Sequence, residues 1–251
     1  VLDNASEPSA DLDAELASID EQIRVSPHTG RVVRVPKALS LATARNTAAS
    51  HSKGDFLLFM DDDNVAHSDE VRLLVRAALA TGASALAPAN DYLQGMAAPQ
   101  RGMTPMGRWM PLGPALDVGL YRDCFGDANA LVRASAFRSI GGFASPISEG
   151  SGEDSTGEDW ELLAALAFGG HDVQAVPLAL FWYRFSPGSL VHSTSRALYL
   201  ERTLRPYSAN APAGLVPALG AARSFYFTLQ KQETALREQD ARLRLQDKLL
   251  R

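Results

Sequence analysis

The sequence predicts an α/β domain in which a mostly parallel central sheet is covered by helices on both faces, with a helical extension at the C-terminus. Three observations predict it. Short apolar runs alternate with amphipathic stretches, the connections between them are brief, and the run Phe56-Leu57-Leu58-Phe59-Met60 is apolar at every position. A strand that is apolar on both sides needs cover on both, as strands of parallel sheets do. At 251 residues, 46% of them hydrophobic, the chain can bury a core of that kind.

Val1-Leu2 reads as the end of a buried strand running into the polar turn Asp3-Asn4-Ala5-Ser6. With nothing before it, the chain is expected to be a fragment. Leu12, Leu16, Ile19 and Ile23 have the spacing of a short amphipathic helix over 11–23. Val32 to Val35, stopped by Pro36, is a strand, and 39–50 is an Ala-rich helix. After Gly54 comes the strand 56–60. Ser68 is the expected N-cap of a helix through Ala80 with Val71, Leu74, Val75 and Leu79 as its buried stripe. Strand 85–89 follows. Residues 90–127, rich in Gly, Pro and Met, form a long loop, and in a compact domain such loops more often cover a site than idle. Then come strand 128–132, helix 135–140 closed by Gly141-Gly142, a flexible stretch 144–157, helix 158–168 and strands 173–176 and 180–183. From Phe225 to Arg251 a charged, Gln-rich helix carries Leu229, Leu236, Leu243 and Leu250 at intervals of seven and is expected to continue past residue 251. Gln at the companion heptad positions leaves a solvated or domain-linking helix and a self-associating one equally open. The division predicted is a domain over 1–200 and an extension over 201–251.

A net charge of −5 provides no field to attract nucleic acid or an anionic membrane surface. The longest apolar runs fall far short of the ~20 residues of a membrane span. A single cysteine, Cys124, excludes an internal disulfide, reads as a packed residue, and fits a reducing, cytoplasmic setting.

Asp61-Asp62-Asp63-Asn64 follows the most apolar strand directly, and three adjacent carboxylates repel unless a cation neutralises them. Hard oxygen ligands at a strand end suit Mg²⁺ or Mn²⁺ bridging to phosphate oxygens. Ala44-Arg45-Asn46 places a guanidinium on a helix where it can reach a bound diphosphate. Gly157-Glu158-Asp159-Trp160-Glu161 sets carboxylates in the first turn of a helix, where they can be a plain cap or can offer a proton acceptor beside a flat aromatic face for a sugar ring.

The ordered set Val-Leu-Asp-Asn-Ala-Ser, Ala-Arg-Asn, Gly-Asp-Phe-Leu-Leu-Phe-Met-Asp-Asp-Asp-Asn, Gly-Asp-Ala-Asn-Ala-Leu-Val-Arg and Gly-Glu-Asp-Trp-Glu-Leu resembles the inverting family-2 glycosyltransferases of GT-A fold, from Val1 to about Ser195. The resemblance implies that Asp3 contacts the base of a nucleotide-sugar donor, with uridine as the base. It implies that Arg45, Asp61 and Asp62 hold the rest of the nucleotide, and that Asp63 with Asp61 holds Mn²⁺ or Mg²⁺, with His192 as a further ligand. Asp127 would line the donor site, Glu158 and Trp160 would shape the site of a glycan or other hydroxyl acceptor, and Asp159 would be the general base. Two rival readings stay open from sequence: a sugar nucleotidyltransferase, and a non-catalytic nucleotide-sugar-binding or scaffolding module.

Overall fold

The computed structural model describes residues 1–95, 97–100, 102–145, 147, 156–185 and 196–249. In chain order it contains β1 (Leu2–Asp3), α1 (Ala10–Val25), β2 (Val33–Arg34), α2 (Leu41–Ser50), β3 (Phe56–Leu58), β4 (Val65–Ala66), α3 (Glu70–Thr81) and β5 (Ala85–Gln94). These are followed by β6 (Arg108–Trp109), β7 (Leu131–Arg133), α4 (Ala134–Ser139), α5 (Glu158–Phe168), β8 (Val173–Phe185), α6 (Arg196–Asn210) and α7 (Val216–Leu249).

The main sheet runs β3-β7-β5-β8-β4, with β6 added against β5, while β1 and β2 form a separate parallel pair. It is mixed rather than mostly parallel. Only β5 and β8 pair in parallel; β3-β7, β7-β5, β5-β6 and β8-β4 are antiparallel. Parallel neighbours need a crossover that carries the chain back to its starting end. The connection from β5 to β7 contains no long helix among its described residues, and β7 enters from the opposite end.

The two strands expected at 173–176 and 180–183 are one. Pro88 pairs with Val176 and Ala89 with Ala179, so Pro177 and Leu178 are extra residues on β8. A bulge accommodates a proline that cannot donate to the ladder, which is why the sequence pattern reads as interrupted.

Alternate residues of β5 point to two cores. Ala85 and Ala87 face a large cluster containing Ala42 of α2, Phe137 of α4, Leu162, Leu163 and Leu166 of α5. Leu86 faces a smaller one with Leu74 and Ala78 of α3. Helix α3 starts at Glu70 after an Asp69 cap that makes no side-chain hydrogen bond, rather than at a Ser68 cap. Its buried face is Glu70, Leu74 and Ala78, and the expected stripe residues Val71 and Leu79 are exposed. Burial of Glu70 follows from a tertiary bond: Nδ2 of the buried Asn129 donates to Glu70 Oε1 at 2.6 Å.

Helix α6 overlaps the expected helical extension but is not delimited there as an element of its own; it contains Pro206 and the charged residues Arg196, Glu201, Arg202 and Arg205. Its apolar face, Leu200, Leu204 and Tyr207, joins the large core together with Leu219, Ala222 and Tyr226 of α7. The expected boundary at residue 200 thus falls inside a helix packed on the domain. Farther along α7, Leu229 packs against the core and Leu236 is exposed, while the side chains of Leu243 and Leu250 lie outside the described residues.

Gly126 fits this core only as glycine: its φ is +148°, and a Cβ there would lie 2.3 Å from Cβ of Ala87. Gly126→Ala is therefore expected to destabilise the chain by about 1–3 kcal/mol, the usual cost of overpacking. Urea denaturation checks this, and an unchanged midpoint would contradict the packing described.

Candidate active site

Helix α2 delivers Arg45. Asn4, beyond β1, binds Leu39 through both its backbone N–H (2.8 Å) and its carbonyl (2.9 Å), and Ser40 caps the helix by accepting from Thr43 N. The start of α2 is thereby pinned to the turn that carries Asp3.

The Arg45 guanidinium is buried and joins two segments remote in sequence. It donates to Oδ1 of Asp61 at 2.6 Å and to Oε1 of Glu158 at the start of α5. The ring of Phe143 lies below it, 5.6 Å from the guanidinium carbon to the ring centre. Burial lowers its pKa, yet the charges of Glu158 and Asp61 outweigh this and hold the guanidinium above its ordinary range.

Around this one cation stand more carboxyls than it can neutralise. Asp159 is raised by burial; Arg45 opposes the rise and Asp61 adds to it. Burial, then the charge of Asp159, pushes Asp127 up to about 8 and Glu158 up to about 7, with Arg45 opposing in both. Asp123 is raised well above the usual carboxylate range by burial and by Asp159. Tyr92 of β5 is raised by burial and by Asp127 and Asp123. These groups titrate as a set, and protons are retained where like charges crowd.

The structure brings Arg45, Asp61, Asp127, Glu158 and Asp159 together. Asp61 turns inward to Arg45, while Asp62 and Asp63 are exposed on the same turn. Asp63 is raised by burial and by the charges of Asp61 and Asp62, the condition that a bound cation would relieve. Arg184 ties this turn down, with Nε donating to the carbonyl of Asp63 at 2.8 Å and its amide to Oδ1 of Asn64 at 3.1 Å. Asp3 stands apart in a buried network of its own. The Ser6 amide donates to it at 3.0 Å and Arg34 Nε at 2.9 Å, and both depress its pKa. It lines an open depression with Ala5, Glu7, Pro8 and Val35.

Two sequence expectations are corrected. Trp160 offers no face to a sugar: it is 2% exposed and packs edge-on to Tyr199, 5.9 Å between ring centres. Glu158 is also buried and is the ion-pair partner of Arg45, not a lining residue for an acceptor. His192 lies outside the described residues. Among those described, no three His, Cys, Asp or Glu side chains converge as a metal cage. Asp123 and Tyr92 escaped the sequence reading. Asp123 precedes Asp127 by one helical turn's worth of residues but sits in a loop, where spacing carries no meaning. Tyr92 lies beyond the predicted end of its strand.

Residues 1–141 match the model of the family described as Glycosyl transferase family 2. The succinoglycan biosynthesis protein ExoM of Rhizobium meliloti (strain 1021) is 32% identical over 163 residues, 61% of this chain and 47% of ExoM. The chain therefore spans about half the length of that curated relative. Crystal structures of S. aureus TarS 1-349 are similar in fold. One superimposes with a TM-score of 0.52 at 14% identity, over 90% of this chain and 69% of that one. The complex of TarS with UDP-GlcNAc superimposes with the same TM-score at 13% identity.

The raised carboxyls fix the sign of the pH dependence. A carboxyl whose folded pKa lies above its unfolded value holds its proton longer in the folded state. Its favourable contribution is complete below the unfolded pKa and is lost as pH rises through the folded one. The ligand-free chain is thus expected to lose stability as pH climbs through 7 and 8, the values of Glu158 and Asp127. Arg45→Met should cost about 3–5 kcal/mol above that window by leaving Glu158 charged and unpaired, and less in mild acid where Glu158 is protonated. Melting temperatures of both proteins across pH check this; a constant difference between them would contradict it.

Proposed function

The chain belongs to the family-2 glycosyltransferases, and from that premise we propose that it transfers a sugar from a UDP-linked donor to an acceptor hydroxyl with inversion, assisted by Mn²⁺ or Mg²⁺. One observation carries the reading: Arg45 joins the end of β3 to the start of α5, so that the acidic turn and Asp159 share one site. The name of ExoM places the corresponding step of that relative in polysaccharide synthesis, and the bound UDP-GlcNAc of TarS is a donor of the class proposed.

Asp3 takes the base. Two of its lone-pair sites accept from Ser6 and Arg34, and a carboxylate has about four, leaving capacity for the imide N–H of uracil. Asp61 and Asp63 would hold the divalent ion. They suit it, since such ions are often bound through one or two carboxylates with substrate phosphates completing the sphere. The ion would offset charge on the departing diphosphate.

Asp159 accepts the proton of the acceptor hydroxyl. The hydroxyl oxygen then forms its bond to the anomeric carbon as the bond from that carbon to the diphosphate oxygen breaks, on the opposite face. Burial serves this step, because a carboxylate of raised pKa is a stronger proton acceptor once ionised. Arg45 opposes the rise and favours the ionised form of Asp159.

Release of UDP from UDP-glucose, UDP-galactose, UDP-N-acetylglucosamine and UDP-glucuronate, with and without Mn²⁺, tests the proposal. At least one donor should be hydrolysed in the presence of the ion, and no turnover of any would overturn it. Asp159→Asn should lower turnover by roughly 10²–10⁴-fold while UDP still raises the melting temperature. Asp63→Ala should abolish the Mn²⁺-dependent part of that rise.

A further inference from the structure

Helix α6 lies outside the family-model match, and it meets the start of α5 at three points. A Cβ on Gly157 would lie 3.0 Å from side-chain atoms of Thr203 and Tyr199. Trp160 packs on Tyr199. Glu161, itself buried, accepts from Nε of Arg202 at 2.9 Å, and from Nε and Nη2 of Arg205 at 2.5 and 2.9 Å. The residues on both sides of Glu158-Asp159 are therefore set against α6.

The same arginines reach a second segment. Nη2 of Arg202 donates to the carbonyl of Ala144 at 3.0 Å, and Nη2 of Arg205 to that of Ser145 at 2.9 Å. Immediately before these residues is Phe143, whose ring lies beneath Arg45 and whose backbone is held at both N–H and C=O by the Asn46 side chain of α2. Both partners of the Arg45-Glu158 pair are thus referenced to one pair of guanidinium groups. A buried ion network adds little net stability over well-packed apolar residues, whereas forked guanidinium-carboxylate bonds fix direction.

We propose that Arg202 and Arg205, acting through Glu161, are positioning residues that aim Asp159 at the acceptor hydroxyl and hold α5 in register with Arg45. This rests on the assignment of Asp159 as the base. As positioning residues acting through Glu161, they act on the chemical step and not on donor binding.

The test uses the full chain with the UDP-sugar that the wild type hydrolyses. Arg202→Met and Arg205→Met should each lower kcat by about a hundredfold, the effect of roughly 1 Å of misplacement, with the donor KM nearly constant. Arg202→Lys, which satisfies one acceptor at a time, should recover part of the loss. Wild-type kcat in both Met variants, or a fall matched by an equal weakening of UDP binding, would overturn the proposal. Arg202 is fully buried; if its Met variant does not fold, Arg205→Met, with a side chain 38% exposed, decides alone. Asp159→Asn separates the two readings, since turnover retained there removes the base assignment itself. In that event, hydrogen exchange of residues 157–168 decides whether α6 holds α5. Exchange should quicken in the Arg205 variant while residues 70–81 stay unchanged, and no change in 157–168 would overturn the positioning role.

Discussion

Burying one guanidinium among several carboxyls is the constraint on which the rest of the structure depends. Arg45 reaches across from α2 to Asp61 and Glu158, and without it the buried Glu158 would lose its ion-pair partner. Much of the surrounding architecture keeps that group in place. Asn4 and Ser40 fix the start of α2, Asn46 grips Phe143, and Phe143 backs the guanidinium plane. The aromatic trio Phe59, Phe137 and Phe143 then ties this support to the end of β3, directly before the acidic turn.

The residual charge at the site follows from the same constraint. One cation stands among several carboxyls, and burial together with the charge of Asp159 raises Asp123, Asp127 and Glu158 above the usual carboxylate range. Such pent-up charge is costly in a resting protein and is characteristic of sites that await a ligand or a proton to move. Asp62 and Asp63 are exposed on the turn that Asp61 begins.

The central parallel pair β5-β8 is the frame for both levels. Its far end carries Tyr92 toward Asp123 and Asp127 and carries Arg184 to the acidic turn. The bulge at Pro177 lets β8 continue to that end instead of stopping at the proline. Helices α6 and α7 complete the large core from beyond the family-model match, so the site-bearing helix α5 is held by residues remote from the motifs that identify the family.

The sequence by itself determined the α/β class, the helices α2 and α5, and the acids and the arginine that the structure gathers. Those features are local: apolar periodicity, Gly breaks and a charge run after an apolar strand are legible without knowing what packs on them. Strand direction, the single bulged β8, the buried face of α3 and the existence of α6 were decided by tertiary contact. In each, a residue that reads one way alone, Pro177, Glu70 or Pro206, is overruled by a partner far along the chain. The contacts of Glu158, Asp159 and Trp160 were likewise decided in space. Three adjacent residues on a helix point in three directions: Glu158 pairs with Arg45, Trp160 packs on Tyr199, and Asp159 accepts from the Trp160 amide.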